Sequence, residues 1–370
     1  MARLVRAALM RGGTSKGVVF RAADLPPAGA ARDAVIVAAL GPDSTGLAID
    51  GVGGGVTSTL KAAVVAPPSK PGFAADYHFA QVSRGGGIDW RSSCANFASA
   101  AALVAADDGM ALREADGSAV VRLWASGAGE ALSVTLPATD APPVAIAGVR
   151  GEAPPLRVEF ELGGHALLPT GRPEEEGLRL GDRPLRATIV DVAGNPQVLV
   201  RAVEGGLRGD EAAEEATAAL VWEAVDALLD EAAGRVGLKA RPSGMRLLWL
   251  SARRDHCLAG GGAVAAAECD LLSRVSAGSR VHHAHTGTGA LALACAAAVP
   301  GTVAHELVRG GGGGGCGGGG EAGAELRIAH PQGVMRVHAS VGRDADGRHV
   351  AHSAGMVRTA RYLMVGEVVV

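Results

Sequence analysis

The feature that most constrains this 370-residue chain occurs once in each half: a polar turn that leads into a helix of small apolar residues. The first turn is Ser92–Asn96, followed by Phe97–Ala106, and the second is Thr286–Gly289, followed by Ala290–Ala298. A helix that is apolar all round is typical of the centre of a domain rather than its surface. The pattern predicts two related domains, each built around a central helix.

A second repeated element supports a duplication. Met10–Phe20 opens the first half and Asp191–Val200 opens the second, and each combines a glycine-containing polar turn with a strand pattern. Each precedes its helix start by roughly 80 to 90 residues, which indicates a long-period internal repeat. We therefore expect an α/β (α+β) fold with a first domain at residues 1–187, a second at residues 188–355 and a cleft between them.

Local patterns in the second half give three further predictions. The polar character of Leu178–Arg186 predicts turns at the domain crossing. Glu211–Ala232, which is acidic at its start, predicts one long helix. Gly301–Val308 continues the strand-and-turn pattern of its surroundings.

Composition excludes several classes of function. The formal net charge is −3 and aromatic residues make up 3% of the chain, so neither a phosphate-binding stripe nor a base-stacking surface is expected, and nucleic acid is not a predicted partner. We find no signal-peptide pattern and no window with the roughly 18–20 apolar residues of a membrane span, which predicts a cytoplasmic protein without membrane attachment. Five cysteines without CxxC spacing fit a reducing compartment; four of them are interpreted as structural or incidental thiols, namely Cys257, Cys269, Cys295 and Cys316.

Glycine-rich motifs do not indicate a nucleotide site. Gly12–Gly17 resembles a phosphate-binding loop, but its lysine precedes the last glycine, so the spacing is wrong. It is either a tight turn or a turn whose Thr14, Ser15 and backbone N–H groups contact a substrate anion. Asp50–Gly55 lacks the third glycine and the following helix of a dinucleotide fold. Gly310–Gly320 predicts a flexible hairpin loop or a disordered insert.

No metal or cofactor is predicted. His282, His283 and His285 are close in sequence, but no carboxylate or cysteine completes a metal-binding set at the usual spacing. A role at the surface or in support of other residues is the simpler interpretation of these histidines.

Two residues have both a structural and a catalytic interpretation. Lys61 lies in Thr57–Val65, which has the pattern of a buried strand, so it is either an edge-strand lysine that reaches solvent or a proton-transfer group in the cleft. Cys94 is either a small buried hydrophobic residue or a thiol whose thiolate is stabilised by a helix N-terminus. The unpaired N–H groups at two helix starts that face each other would hold two carboxylates of one small substrate.

Blocks along the whole chain resemble the PrpF-type isomerase family, whose members are related to diaminopimelate epimerase. The resemblance is carried by these blocks: Met10–Gly17, Asp24–Pro26, Ile49–Gly51, Ser58–Lys61, Asp89–Trp90, Cys94 with Asn96, Gly194–Pro196, Thr286–Ala290, His330–Gly333 and Arg358–Arg361. It implies two domains, each a curled mixed β-sheet around a central α-helix, a C-terminal strand at about residues 356–370 that returns to the first domain, and no cofactor. It also implies that Lys61 is the catalytic lysine and that Cys94 is the cysteine of the first helix start.

Two positions depart from the family pattern. Ala95 stands where the family usually has glycine, and an alanine would be strained by about 1 kcal/mol or more if that position needed a positive φ. Thr286 stands where two-cysteine epimerases have their second thiol, which disfavours a racemase with a symmetric cysteine pair.

The leading hypothesis is a cofactor-independent isomerase or tautomerase of a small unsaturated di- or tricarboxylate, of the methylaconitate or oxalomesaconate type. The alternatives are an amino-acid epimerase-like enzyme and a catalytically silent carboxylate-binding protein, and a homodimer remains open. The predicted catalytic residues are Lys61 and Cys94, and the predicted substrate-binding residues are Thr14, Ser15, Ser58, Thr59, Asn96, Asn195, Arg280, Thr286, Gly287 and Thr288.

Overall fold

The computed structural model describes residues 3–192, 194–242, 244–310 and 324–370. It divides into two compact units: unit 1 consists of Met1–Glu161 and Val357–Val370, and unit 2 of Leu162–Met356. The sequence prediction put the crossing near residue 187, inside what the structure shows as unit 2. The segment after Met356 lies in unit 1, although the whole of unit 2 separates it from the rest of that unit in the chain.

Unit 1 contains two α-helices and most of the first ten strands. The helices are α1 (Ala30–Leu40) and α2 (Ala95–Asp107), and the strands are β1 (Leu4–Gly12), β2 (Ser15–Arg21), β3 (Lys61–Ala66), β4 (Ala75–Val82), β5 (Ile88–Asp89), β6 (Ala119–Ala125), β7 (Glu130–Leu136), β8 (Val144–Ala145), β9 (Glu152–Ala153) and β10 (Leu156–Ala166), which crosses the division. Helix α2 packs against β1, β2, β3, β6 and β7, and its residues from Phe97 to Ala102 are all buried. Small alanine side chains let the surrounding strands approach this helix closely.

Unit 2 contains the remaining helices and most of the later strands. The helices are α3 (Ala213–Ala218), α4 (Trp222–Arg235), α5 (Gly287–Ala297) and α6 (Val303–Gly310), and the strands are β11 (Glu175–Leu180), β12 (Arg183–Val192), β13 (Asn195–Arg201), β14 (Arg246–Ala252), β15 (His256–Cys257), β16 (Ala263–Val264), β17 (Leu271–Val275), β18 (Ala324–His330), β19 (Gly333–Arg343) and β20 (His349–Arg358). Strand β21 (Ala360–Val369) pairs with β1 in unit 1. Helix α5, like α2, is buried along its length and packs against β12, β13, β18 and β19.

The two units have the same strand order. In unit 1 the neighbours run β21–β1–β2–β3–β4–β6–β7–β10, and in unit 2 they run β11–β12–β13–β14–β17–β18–β19–β20. In both, the third and fifth pairs are parallel and the other pairs are antiparallel. Equal order and equal directions are what an internal duplication produces, and α2 and α5 occupy the same place in the two repeats.

The region predicted as turns at the domain crossing is a β-hairpin inside unit 2. Strands β11 and β12 pair antiparallel, and Gly181 between them has φ +59°. Leu178, Leu180 and Leu185 are buried in the core of unit 2. Their alternation with polar residues is a strand pattern that the high polar content of the segment obscured.

Two other elements of unit 2 differ from the sequence prediction. The single helix predicted over Glu211–Ala232 is broken, because Val221 is extended (φ −92°, ψ 104°) and Trp222 packs edge-on against the buried Trp249, with ring centroids 6.5 Å apart. The strand-like pattern predicted at Gly301–Val308 was wrong, because that segment forms most of α6. The hydroxyl oxygen of Thr302 accepts a hydrogen bond from the backbone N–H of His305 at 3.2 Å, which caps this helix.

Within the described ranges, no helix is both long and apolar enough to cross a bilayer. Most of the predicted flexible tract Gly310–Gly320, including Cys316, lies outside the described residues.

Candidate active site

The first cluster of predicted site residues lies in unit 1, where the β1–β2 turn meets the start of α2. Gly13 in this turn has φ +52°, and a Cβ there would lie 2.1 Å from Oδ1 of Asn96. The backbone N–H of Thr14 points to the same oxygen at 3.5 Å, and Ser15 Oγ lies 4.0 Å from Cys94 Sγ. The glycine is therefore required for the turn to approach the helix, and four predicted residues come together here.

Cys94 is the N-cap of α2 and carries a free, half-buried thiol. Its extended backbone (φ −144°, ψ 105°) lets its carbonyl accept hydrogen bonds from the hydroxyl of Tyr77 at 3.1 Å and from the N–H of Ala98 at 2.8 Å. The preceding residue, Ser93, donates to the carboxylate of Glu130, whose pKa is raised by burial. Polar contacts from β4 and β7 thus hold the backbone from which the thiol projects.

The alanine at position 95 is compatible with this helix start. Ala95 is the first residue of α2, and Ala48 is the only non-glycine residue with a positive φ in the described part of the chain. The strain considered for Ala95 is therefore absent, because the position is helical.

Lys61 is the first residue of β3 and is only 9% exposed. It pairs in register with Gly17 on β2 and with Gln81 on β4, and its amino group donates to the side-chain oxygen of Gln81. The Nζ atom also lies 5.1 Å from the centroid of the Phe79 ring. None of the ion pairs found among the described residues includes Lys61, so its contacts are to neutral groups.

Ser58 and Thr59 form the loop that leads into β3. The carbonyl of Ser58 accepts a hydrogen bond from the N–H of Lys16 at 2.9 Å, which ties this loop to the start of β2. The hydroxyl of Thr59 donates to the carbonyl of Val56 at 2.9 Å, within its own turn. Both residues thus lie next to the start of β3, but the Thr59 hydroxyl is already hydrogen bonded within its own turn.

The segment that returns to unit 1 adds a charged group that was not among the predicted site residues. Arg358 is 5% exposed, and its Cδ lies 2.8 Å from where a Cβ on Gly13 would be. Burial lowers the pKa of this guanidinium to about 10, and the nearby Cys94 acts in the opposite direction. Arg11 holds the segment in place by donating to the carbonyl and the hydroxyl of Thr359 at 2.8 and 2.9 Å.

The second cluster lies in unit 2. Asn195 begins β13, and its side chain packs so close to Gly244 that a Cβ there would lie 2.7 Å from the amide. Thr286 is the N-cap of α5, its hydroxyl oxygen accepts from the N–H of Gly289 at 3.3 Å, and the predicted residues Gly287 and Thr288 follow in the first turn. Arg280 is on an exposed turn that the bridge between Ser276 and Val281 closes.

His285 joins the start of α5 to strand β17. Its Nδ1 lies 2.9 Å from the carbonyl of Thr286, which is an acceptor only, so Nδ1 carries the proton and Nε2 accepts from the hydroxyl of Ser273 at 3.0 Å. The ring is 6% exposed, and burial lowers its pKa to about 4. His285 is therefore neutral at pH 7 and supports the helix start, rather than lying at the surface.

This burial gives a prediction for stability against pH. Because the folded pKa of His285 is depressed below that of an unfolded histidine, the unfolded state binds more protons and stability falls as pH drops below about 6.5. Between pH 7 and pH 5 the loss should be about 2 kcal/mol. His285→Gln should remove this contribution, as measured by urea unfolding at both pH values; an equally steep pH dependence in the variant would contradict it.

No group of three or more His, Cys, Asp or Glu side chains that could hold a metal ion occurs in residues 3–192, 194–242, 244–310 and 324–370. The described clusters instead offer hydroxyl, thiol, amide and amino groups together with helix N-termini. Such groups bind anions and transfer protons.

Comparisons with known proteins show the family to which the chain belongs. A family model described as PrpF protein matches residues 2–370. The 2-methyl-aconitate isomerase of Cupriavidus necator is 33% identical, with 98% of this chain and 96% of that protein covered, and the (4E)-oxalomesaconate Delta-isomerase of Novosphingobium sp. is 32% identical with the same coverage. The crystal structure of a methylitaconate-delta-isomerase matches with a TM-score of 0.81 and 25% identity, covering 100% of this chain and 96% of that one.

The fold and these relatives define an isomerase with a diaminopimelate epimerase-like fold. The chain belongs to the PrpF family.

Proposed function

We propose that this protein is a cofactor-independent isomerase or tautomerase that moves an allylic proton on a small unsaturated di- or tricarboxylate. The observation that carries the proposal is Lys61: a lysine that is 9% exposed, hydrogen bonded to a neutral amide, at the start of the strand beside the Cys94 cluster. An amino group without a carboxylate partner is suited to accept and return a proton. The relatives named as isomerases of methylaconitate and oxalomesaconate support the substrate class.

In this mechanism Lys61 takes the proton from an allylic C–H group of the substrate. The resulting dienolate-like anion places its charge on a carboxylate, and a proton then returns at another carbon or after bond rotation. Cys94 is proposed as the second acid/base or as a substrate contact. We also propose that the clusters of both units act on one substrate molecule, as the family resemblance implies.

The developing negative charge needs hydrogen-bond donors that are already in place. In unit 1 these are Ser15, Asn96 and the first N–H groups of α2, and in unit 2 they are Asn195, Arg280 and the N–H groups that follow Thr286. Preorganised donors of this kind are commonly the largest catalytic contribution in a site that excludes water.

Two alternatives make different predictions. An amino-acid epimerase of the two-cysteine type needs a second thiol, and the N-cap of α5 is Thr286. A silent carboxylate-binding protein would bind the same acids without exchanging protons. Incubating the protein in D₂O with methylaconitate, oxalomesaconate, aconitate and methylitaconate, followed by proton NMR, distinguishes them: an isomerase incorporates deuterium and either shifts the double bond or changes its cis-trans geometry. Absence of exchange with all four acids would contradict the proposal.

The anion-binding part of the proposal gives a separate prediction. trans-Aconitate should bind, whereas its trimethyl ester should not, because the attraction depends on carboxylate charge meeting N–H groups and a guanidinium. Arg280→Ala should weaken trans-aconitate binding by about 1.5–3 kcal/mol in calorimetry. Arg336→Ala, which removes an exposed arginine paired with Glu325, is the matched control and should leave the affinity unchanged. Equal affinity for acid and ester would remove the anion clamp from the mechanism.

A further inference from the structure

We propose that Gln81 is a positioning residue that fixes the amino group of Lys61 for proton transfer in both of its protonation states. The inference rests on the proposed function, in which Lys61 is the proton-transfer group. It concerns a residue that acts through Lys61 and not on the substrate directly.

The orientation of the Gln81 amide follows from its backbone partners. Its Nε2 donates to the carbonyls of Leu60 at 3.0 Å, Thr57 at 3.1 Å and Val82 at 3.3 Å. Carbonyl oxygens only accept hydrogen bonds, so the amide nitrogen must be the end that faces them. The remaining end, Oε1, therefore faces Lys61 Nζ and serves as its acceptor.

The same contacts make the acceptor rigid. Gln81 is directly opposite Lys61 in the antiparallel β3–β4 pair, and the N–H of Val82 donates to the carbonyl of Leu60 at 3.0 Å. Thr57 and Leu60 belong to the segment that leads into β3, so the amide joins this segment to β4. A flexible lysine side chain thus ends at an oxygen that the backbone holds in place, which reduces the number of positions open to its amino group.

A neutral acceptor suits a group that gains and loses a proton. Both –NH₃⁺ and –NH₂ retain N–H donors for an amide oxygen, so the contact survives proton transfer. A carboxylate at this position would favour the charged form and oppose loss of the proton. The Phe79 ring, two residues before Gln81 on β4, has its centroid 5.1 Å from Nζ and carries no formal charge.

The charged and titratable groups on the elements around β3 are engaged elsewhere, lie at its far end or, in the case of Cys94, belong to the proposed site. The amino group of Lys16 on β2 donates to the carbonyl of Gly53, His78 on β4 contacts the hydroxyl of Ser126, and Tyr77 donates to the Cys94 carbonyl. The remaining such groups are Cys94 at the α2 start, Asp76 opposite Ala66, Arg21 opposite Val65, Asp24 in the turn after β2, and Asp107 at the end of α2. On the far side of β4, Asp89 of β5 is opposite Gln81, and its carboxylate lies 3.8 Å from the guanidinium of Arg91. Gln81 is the polar side chain in hydrogen-bond contact with Nζ in the described residues.

Two substitutions test the proposal with 2-methylaconitate as the probe, or whichever of the four acids the wild type converts fastest. Gln81→Met keeps the length but removes the acceptor, and we expect kcat to fall at least tenfold while KM changes less than threefold. Gln81→Glu keeps an acceptor but adds a charge, and we expect the rising limb of kcat against pH to move upward by at least one pH unit. His78→Met, which removes a polar contact from the same strand, is the control and should leave both unchanged.

The outcomes separate this inference from the function on which it rests. The inference is overturned if Gln81→Met retains more than half of the wild-type kcat. It is also overturned if folded Gln81→Glu is active and its rising limb of kcat lies at the same pH as in the wild type. In either case Gln81 serves only to join backbone segments. Rates are taken per folded protein from circular dichroism at 10 °C, so a destabilised variant still gives a result. Lys61→Ala in the same assay tests the proposed function itself. If this variant remains active, the proposed role of Lys61 is wrong, whatever the Gln81 variants show.

Discussion

Lys61→Ala is expected to lower kcat by about 10² to 10⁴-fold, the range that a general acid/base group contributes. The variant should remain folded, because the truncation removes only a side chain at the start of β3 and leaves the β2–β3 and β3–β4 ladders intact. The measurement is proton NMR of substrate conversion together with deuterium incorporation from D₂O. Both should fall together, since the same proton transfer underlies both signals.

The control for this prediction is Lys70→Ala. Lys70 is an exposed lysine in unit 1 whose amino group lies over the Trp124 ring at 3.3 Å, away from the Cys94 cluster. Its loss should leave turnover unchanged. Near-normal kcat in Lys61→Ala would reduce Lys61 to a strand lysine and contradict the mechanism. Lys61→Arg refines the test, because it keeps the positive charge but not an amine that readily gives up its proton.

Phe97→Ala is expected to destabilise the protein by about 3–5 kcal/mol, the usual cost of removing a fully buried phenylalanine. Phe97 is 0% exposed in α2, and its Cζ lies 2.9 Å from where a Cβ on Gly17 would be, so it packs directly onto the β2–β3 pair. The cavity would sit between the helix that begins at Cys94 and the strand that begins at Lys61. Chemical unfolding measured by circular dichroism gives the free energy, and activity at 10 °C shows whether the cluster survives.

Val120→Ala provides the comparison. Val120 is 59% exposed on β6 of the same unit, and surface substitutions usually change stability by about 0.5 kcal/mol or less. A similar small effect for Phe97→Ala would mean that α2 does not anchor the core of unit 1.

Sequence reasoning succeeded where the determinants are local. The burial of α2 and α5 follows from runs of small apolar residues, and the positions of Cys94 and Thr286 as N-caps follow from the polar residues just before those runs. It failed where tertiary contacts outweigh local patterns. The helix is broken before Trp222 because the Trp222 ring packs on Trp249. No local sequence pattern predicts this contact.

The supporting residues of the candidate site were beyond prediction for a similar reason. Gln81 acquires its importance from a cross-strand partner twenty positions earlier in the chain, and Arg358 from a turn at the opposite end of it. Gln81 and Arg358 both lie in segments with the composition of ordinary β-strands. The Arg358–Arg361 block did contribute to the family resemblance, but its amino acids alone do not reveal that it contacts the β1–β2 turn.

The return of Val357–Val370 to unit 1 has a consequence for how the protein is made. During translation, Lys61 and Cys94 leave the ribosome long before Arg358, and all of Leu162–Met356 is synthesised in between. Until then β1 lacks its β21 neighbour, and Arg11 lacks Thr359 as its partner. Both proposed catalytic side chains are therefore synthesised before the strand that completes their sheet, and Arg358 can join them only after the whole of unit 2 has been made. The proposed proton transfer therefore requires synthesis of nearly the whole polypeptide.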